Sequence, residues 1–145
     1  MEQIEIKIVK KWPEDDIIKL YQAGGWWKPH YKKSGIQQLI RQSYAFAVVI
    51  HKKTKQTIGM GRIISDKVSD AYIQDLVILP EYRNKGYGKQ LVKTLLEHCK
   101  SQNLHWIGLI AEPNQDEFYK KIGFKKMEKY VPMLYETEEK QNVKT

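Results

Sequence analysis

The plainest chemical signal in the chain is Arg83-Asn84-Lys85-Gly86-Tyr87-Gly88, followed by Lys89. An apolar run, Leu76 to Leu79, precedes it and closes at Pro80, and a helical pattern follows. A buried strand thus gives way to a basic, glycine-bearing turn that opens a helix. The first N–H groups of a helix lack intrahelical partners and carry the positive end of its dipole, so together they form an anion site. Gly86 and Gly88 have no Cβ, which lets a diphosphate come close to the main chain. Arg83, Lys85 and Lys89 add positive charge around it. A dinucleotide fingerprint needs a third glycine where Gln90-Leu91 stands. A Walker-type loop needs Gly-Lys-Ser/Thr, which is absent. Taken alone, these residues also fit an ordinary basic helix start.

The elements that must position this loop follow from periodicity. Ile4, Ile6 and Ile8 alternate with charged residues, as in a half-buried strand. Pro13 with Glu14, Asp15 and Asp16 predicts a helix start, running to about Ala23 and stopped by Gly24-Gly25. Ser34 caps a second expected helix through Gln42. Tyr44–His51, Thr57–Ser65 and Ala71–Leu79 read as three strands joined by polar turns. A long helix is expected from about Gly86 to Gln102, with Leu91, Val92, Leu95, Leu96 and Cys99 on its apolar face. Then come a strand at His105–Ala111, a helix at Gln115–Ile122, and final strands at Phe124–Met127 and Tyr130–Tyr135. Pro132 suits an edge position in the last strand. The order predicts a mixed sheet with helices on both faces.

The 145 residues fit one domain, expected over residues 1–135, with a frayed polar tail at 136–145. Hydrophobic residues make up 41%, enough for a core. No apolar run reaches the ~20 residues of a membrane span. No apolar leader stands at the N-terminus, and the single cysteine, Cys99, excludes intrachain disulfides and cysteine-cluster zinc sites. A cytoplasmic protein without a membrane partner is the expectation. The 25 Lys+Arg against 17 Asp+Glu give a formal charge of +8, which favours anionic partners. Nucleic acid and a phosphate-rich cofactor both satisfy that, but the basic residues are spread along the chain and form no nucleic-acid motif.

The stretch Asp75–Gly88 resembles the central motif of the GNAT superfamily of N-acetyltransferases: an apolar strand, a proline, then Arg/Gln-x-x-Gly-x-Gly/Ala opening a long helix. Phe118-Tyr119-Lys120-Lys121-Ile122-Gly123-Phe124 is similar to that family's second signature, F-Y-x-x-x-G-F. The two motifs and the element order cover nearly the whole chain apart from the tail. The resemblance implies a three-layer α+β fold: a mostly antiparallel sheet of six or seven strands, about four helices, and a splay between the fourth and fifth strands. It implies acetyl-CoA, whose pantetheine arm pairs with the backbone of Leu76, Val77 and Ile78 like an added strand. The diphosphate would lie on Asn84, Lys85, Gly86, Tyr87, Gly88 and Lys89, with Arg83 acting through its main chain or by ordering the turn. A backbone N–H of Val77 or Ile78 would face the developing oxyanion. Tyr119 matches the tyrosine that protonates the leaving thiolate, Phe118 packs in the core or on pantetheine, and Asn114 stands where relatives touch the cofactor.

The acceptor amine must lose a proton before it attacks. Two carboxylates are candidates. Glu112 follows the strand His105–Ala111 beside the expected splay, and its other reading is a turn or capping residue. Asp75 stands inside the apolar run Tyr72–Leu79, and its other reading is a structural hydrogen-bond acceptor. Trp26, Trp27, His30 and Tyr31 lie between the first two helices, in the region that forms the acceptor wall in relatives. The aromatics could line a pocket for an amine, plug the core or meet a second copy in a homodimer. The four histidines show no metal-ligand spacing, so no metal is expected. The leading expectation is an acetyl transferase for a primary amine, on a small molecule or a peptide. The rivals are an acyl-CoA sensor without catalysis and a nucleic-acid-binding protein.

Overall fold

The computed structural model describes residues 3–137. In chain order the elements are β1 (Ile4–Val9), α1 (Glu14–Ala23), α2 (Ser34–Gln42), β2 (Ala45–His51), β3 (Thr57–Ser65), β4 (Asp70–Ile78), α3 (Tyr87–Ser101), β5 (Trp106–Leu109) and α4 (Asp116–Lys120). The five strands form one sheet in the order β1-β2-β3-β4-β5. Hairpin-length connections make β2, β3 and β4 antiparallel, and β1 also pairs antiparallel with β2. The crossover through α3 brings β5 back parallel to β4. This is an α+β fold.

The core lies on both faces of the sheet. Ala45 to Ile50 are buried without interruption, as expected for a strand covered on both sides. On one face Gly61 lets α3 approach: a Cβ there would stand 2.5 Å from Leu76 Cδ2 and 3.2 Å from Leu95 Cδ1. On the other, α1 packs against β3 and β4. Its foot is tied by Thr57, which accepts from Trp12 Nε1 (3.0 Å) and donates to Asp16 (3.0 Å).

One irregularity organises the sheet. Met60 of β3 faces Val77 of β4, but Arg62 faces Gln74, so β4 carries one extra residue there. Asp75 stands in this bulge with φ of +58°, the left-handed region that aspartate tolerates better than most residues. Its Oδ2 accepts from Arg62 Nε at 2.7 Å and from the Tyr21 hydroxyl at 2.8 Å. Arg62 also reaches Gln74 Oε1 at 3.2 Å. Burial, and then the Asp75 charge, push the Tyr21 phenol well above the usual range, so it stays a donor. Asp75 therefore has the hydrogen bonds of a structural acceptor.

Several boundaries differ from expectation. Ser34 is the first residue of α2 rather than its cap, and Gln37 anchors the helix through the Trp12 carbonyl (2.6 Å). The strand expected at His105–Ala111 is limited to Trp106–Leu109, because pairing with β4 ends at Ile73 opposite Leu109. The largest correction is at the C-terminus. Phe124 packs against the core, but neither Phe124–Met127 nor Tyr130–Tyr135 forms a strand, so the described sheet has five strands rather than six or seven. A turn closed by Tyr130 N–H to the Met127 carbonyl (3.1 Å), with Lys129 at φ +70°, breaks the extended run. Residues 138–145 of the expected tail, with Met1 and Glu2, lie outside the described residues.

The Asp75 cluster predicts a stability effect. The Arg62 and Asp75 side chains are only 14% and 11% exposed. Arg62→Met leaves a buried carboxylate without its cation and lowers unfolding free energy by about 3–5 kcal/mol. Chemical denaturation checks this. A loss below about 1 kcal/mol would mean that the bulge is held by other contacts.

Candidate active site

The bulge turns β4 away from β5. Beyond Ile73, β4 continues to Ile78 paired with β3 alone, so the two parallel strands separate. The opening forms a cleft of about 980 Å³ whose wall includes Leu76, Val77 and Ile78. Strand alternation sets which backbone groups face it. The Leu79 N–H bonds the Ile58 carbonyl at 2.8 Å, on the β3 side. The Val77 N–H points the same way, opposite Met60, and the N–H groups of Leu76 and Ile78 point to the open side. Of the two donors expected for an oxyanion, Ile78 is the one aimed at the cleft. Leu76 supplies a second, which sequence reasoning assigned only to backbone pairing.

The floor of the cleft is the start of α3. Pro80–Tyr82 makes a single 3-10 turn, and Asn84 (φ +63°) and Gly86 (φ +83°) then curl the chain into the helix. Gly86 occupies a conformation that resists a Cβ. The first turn of α3 holds no acid, whereas α1 and α4 both neutralise their own N-termini with carboxylates. The positive end of α3 is thus left for an external anion. The Arg83 side chain bends back, its Nε donating to the Ile78 carbonyl at 2.7 Å, so it ties the turn to the end of β4. Gly88 makes room for the Phe118 ring, 3.3 Å from where its Cβ would be.

At the other side of the cleft stand Glu112, just after β5, and Tyr119 of α4. Tyr119 is wedged edge-on between Phe118 (4.9 Å between centroids) and Phe124 (5.8 Å). Its hydroxyl has no hydrogen-bond partner among the described residues. Burial raises its pKa, and the negative charge of Glu112 raises it further. Such a phenol remains protonated through neutral pH and is available as a donor. Trp26 closes the α1 end, its ring folded onto Gly24.

This geometry agrees with a sequence match. Residues 20–132 match the family described as the acetyltransferase (GNAT) domain. The chain belongs to the GNAT family. It is 32% identical over 111 residues to an uncharacterised N-acetyltransferase, ycf52, of Gracilaria tenuistipitata var. liui, covering 75% of this chain and 60% of that protein. It is 27% identical to a chloroplastic GCN5-related N-acetyltransferase of Arabidopsis thaliana, covering 76% of this chain and 55% of that protein. The chain spans about three fifths of the length of the curated relatives it matches. A GNAT-family acetyltransferase structure from Streptococcus pneumoniae superposes with a TM-score of 0.77 at 25% identity, covering 93% of this chain and 98% of the other.

Within this GNAT cleft the structure gathers Asp75 to Ile78, Arg83, Asn84, the helix start Gly86 to Lys89, Glu112, Phe118, Tyr119 and Trp26. Lys85 and Asn114 are exposed outside it, the latter in a turn at φ +67°. Trp27, His30 and Tyr31 lie outside too. They form an aromatic chain, His30–Tyr31 at 4.8 Å and Tyr31–Trp27 at 5.4 Å, that leans on Tyr21. Tyr21 and Arg62 were missed in the sequence. Arg62 had a signal, a cation inside the apolar run Ile58–Ile64, and Tyr21 had none beyond its place on the apolar side of α1. No helix among the described residues is long and apolar enough to cross a membrane.

The Tyr119 environment gives a direct test. Glu112→Gln removes the charge that lifts the phenol, so Tyr119 should titrate at lower pH in the variant, while burial keeps it above a free tyrosine. NMR of ring-labelled tyrosine reads the midpoint. An unchanged midpoint would show that the Glu112 charge does not reach Tyr119.

Proposed function

We propose that this protein is an N-acetyltransferase that moves the acetyl group of acetyl-CoA to a primary amine by direct attack in a ternary complex. The observation that carries the reading is the convergence in one cleft of the Leu76 and Ile78 N–H groups, the uncompensated start of α3 and the Tyr119 phenol. The residues suit the cofactor. Two outward amides of β4 can pair with an amide-bearing arm, and the free N–H groups of Gly86–Lys89 suit a diphosphate. Bound there, acetyl-CoA supplies an acetyl thioester already activated toward amines.

The chain's own groups then divide the work. Glu112 takes a proton from the acceptor ammonium, directly or through water, leaving a neutral nitrogen to attack the acetyl carbon. The Ile78 N–H donates to the carbonyl oxygen as charge builds on it. As the carbon–sulfur bond breaks, Tyr119 gives its proton to the sulfur. After attack the nitrogen still carries one proton more than the amide; it loses that proton through water to the phenolate, which restores Tyr119, while the first proton passes from Glu112 to solvent. Asp75, engaged by Arg62 and Tyr21, serves by fixing the bulge that opens the cleft. Trp26 and the carboxylate of Glu112 form the acceptor wall, a combination that favours a cationic amine on a small molecule or peptide. We place the protein in the cytoplasm as one domain over residues 1–135, consistent with its single cysteine.

Thiol release from acetyl-CoA, screened across amine classes, tests the reading. With the best amine, Tyr119→Phe should lower kcat by roughly 100-fold, and Glu112→Gln should abolish the acidic limb of the pH profile. Full kcat in Tyr119→Phe at every pH would remove the acid role. An unchanged acidic limb in Glu112→Gln would remove the base role. Stoichiometric acetyl-CoA binding with no thiol release for any amine would point instead to a sensor.

A further inference from the structure

The sheet face that α1 covers around Arg62 and Asp75 runs on, beyond that helix, into an exposed aromatic shelf. Alternation from Arg62 puts Ile64 on this face, with its register partner Tyr72 beside it on β4. Trp106 of β5 comes next, its ring 5.5 Å from that of Tyr72 between centroids. Ile64, Tyr72 and Trp106 are 44%, 40% and 40% exposed. Trp106 lies along its own strand, over Gly108: a Cβ there would stand 2.7 Å from the indole. Gly108 is also the register partner of Tyr72, so the missing side chain lets the two rings form one surface. Tyr72 and Ile110 carry that surface into the cleft.

A carboxylate stands at each end of the shelf. Glu112 is at the cleft end. Asp70, exposed and on the Tyr72 face by alternation, is opposite Trp106 at the far end, where it accepts from the Ser69 hydroxyl at 2.8 Å. Neither acid forms an ion pair among the described residues. The turn 66–70 holds two acids and one lysine, a locally negative site in a chain of +8. Extended chain from Trp106 to Glu112 covers roughly 15–20 Å, and side chains reaching inward leave about 10–15 Å between the two charges.

We propose that the acceptor is a linear diamine or polyamine. Its reacting amine lies at Glu112, its methylene chain on Tyr72 and Trp106, and a second ammonium at Asp70. This names the substrate class of the acetyl-transfer reading and rests on it. The chain buries apolar surface against the rings, cationic nitrogens gain from the aromatic faces, and Asp70 supplies the distant countercharge. An amine with one charge uses the shelf and leaves Asp70 unmatched. The chemical step is unchanged. One nitrogen takes the acetyl group, coenzyme A leaves as the thiol, one proton per turnover passes to solvent, and the second ammonium keeps its charge.

Thiol release with diaminooctane, octylamine and putrescine tests the proposal. The first two share a chain and differ by the second ammonium, and putrescine carries both charges on a chain too short to reach Asp70. The expected KM for diaminooctane is about fivefold below that for octylamine, the size of an exposed ion pair, with putrescine weaker than diaminooctane. Asp70→Asn should erase the difference by raising KM for diaminooctane alone, with kcat unchanged. Trp106→Ala should raise KM for both long amines. In NMR without cofactor, spermine should shift the Trp106 indole N–H signal, and less so in Asp70→Asn. Equal KM for the two long amines, a difference that survives Asp70→Asn, or an indole signal unmoved by spermine would overturn the proposal. Thiol release with octylamine would still uphold acetyl transfer in those cases. No thiol release with any amine would remove both.

Discussion

The carboxylate of Asp75, held between Arg62 and Tyr21, is the contact on which the rest of the site depends. It fixes an extra residue in β4 at a positive φ, and that extra residue ends the pairing with β5. Without the bulge, β4 and β5 could run on as a regular parallel pair, and their backbone groups would satisfy each other. With it, the last turns of β4 hold β3 on one side and leave the Leu76 and Ile78 amides unclaimed on the other. A buried ion pair adds little net stability compared with apolar packing. Here its value is geometric: it converts a strand into the wall of a cleft.

The cleft has two ends of opposite character. At one, the backbone of Asn84–Lys89 concentrates N–H groups and the helix dipole, with no acid in the first turn to quench them. At the other, Glu112 supplies a negative charge beside a phenol that burial keeps protonated. On the proposed reading, a ligand with anionic phosphates and a neutral acyl end would be oriented by that gradient, phosphates to α3 and acyl group to Tyr119, and a cationic acceptor would be drawn to the opposite end by the same field. Arg83 lies at the junction, and by bonding the Ile78 carbonyl it spends its side chain on joining strand to loop rather than on the anion.

How much of this could be read in advance differs between elements, for physical reasons. The hairpin strands and α3 follow closely from alternation and a 3.6-residue period, because each buries a continuous apolar face. The glycine-bearing turn that opens α3 was legible because its glycines and cations are adjacent in sequence. The bulge was only half legible: a carboxylate in an apolar run at Asp75 needs a reason, but the partners that supply it come from β3 and α1 and leave no local mark. The aromatic group Trp26–Tyr31 has the same composition whether it lines a pocket or plugs a gap, and only the fold of Trp26 onto Gly24 separates it from Trp27 and Tyr31. The final strands misled because residues 130–135 have strand character but pair with no strand among the described residues.

The most direct test of the account is amide NMR during titration with coenzyme A, compared with pantetheine, which lacks the diphosphate. Coenzyme A should move the amides of Gly86 to Lys89 together with those of Leu76 and Ile78, and pantetheine should move only the β4 pair. Coenzyme A that leaves Gly86 to Lys89 unmoved, or shifts that spare Leu76 and Ile78 with either ligand, would contradict the assignment of the opened strand and the helix start as one binding site.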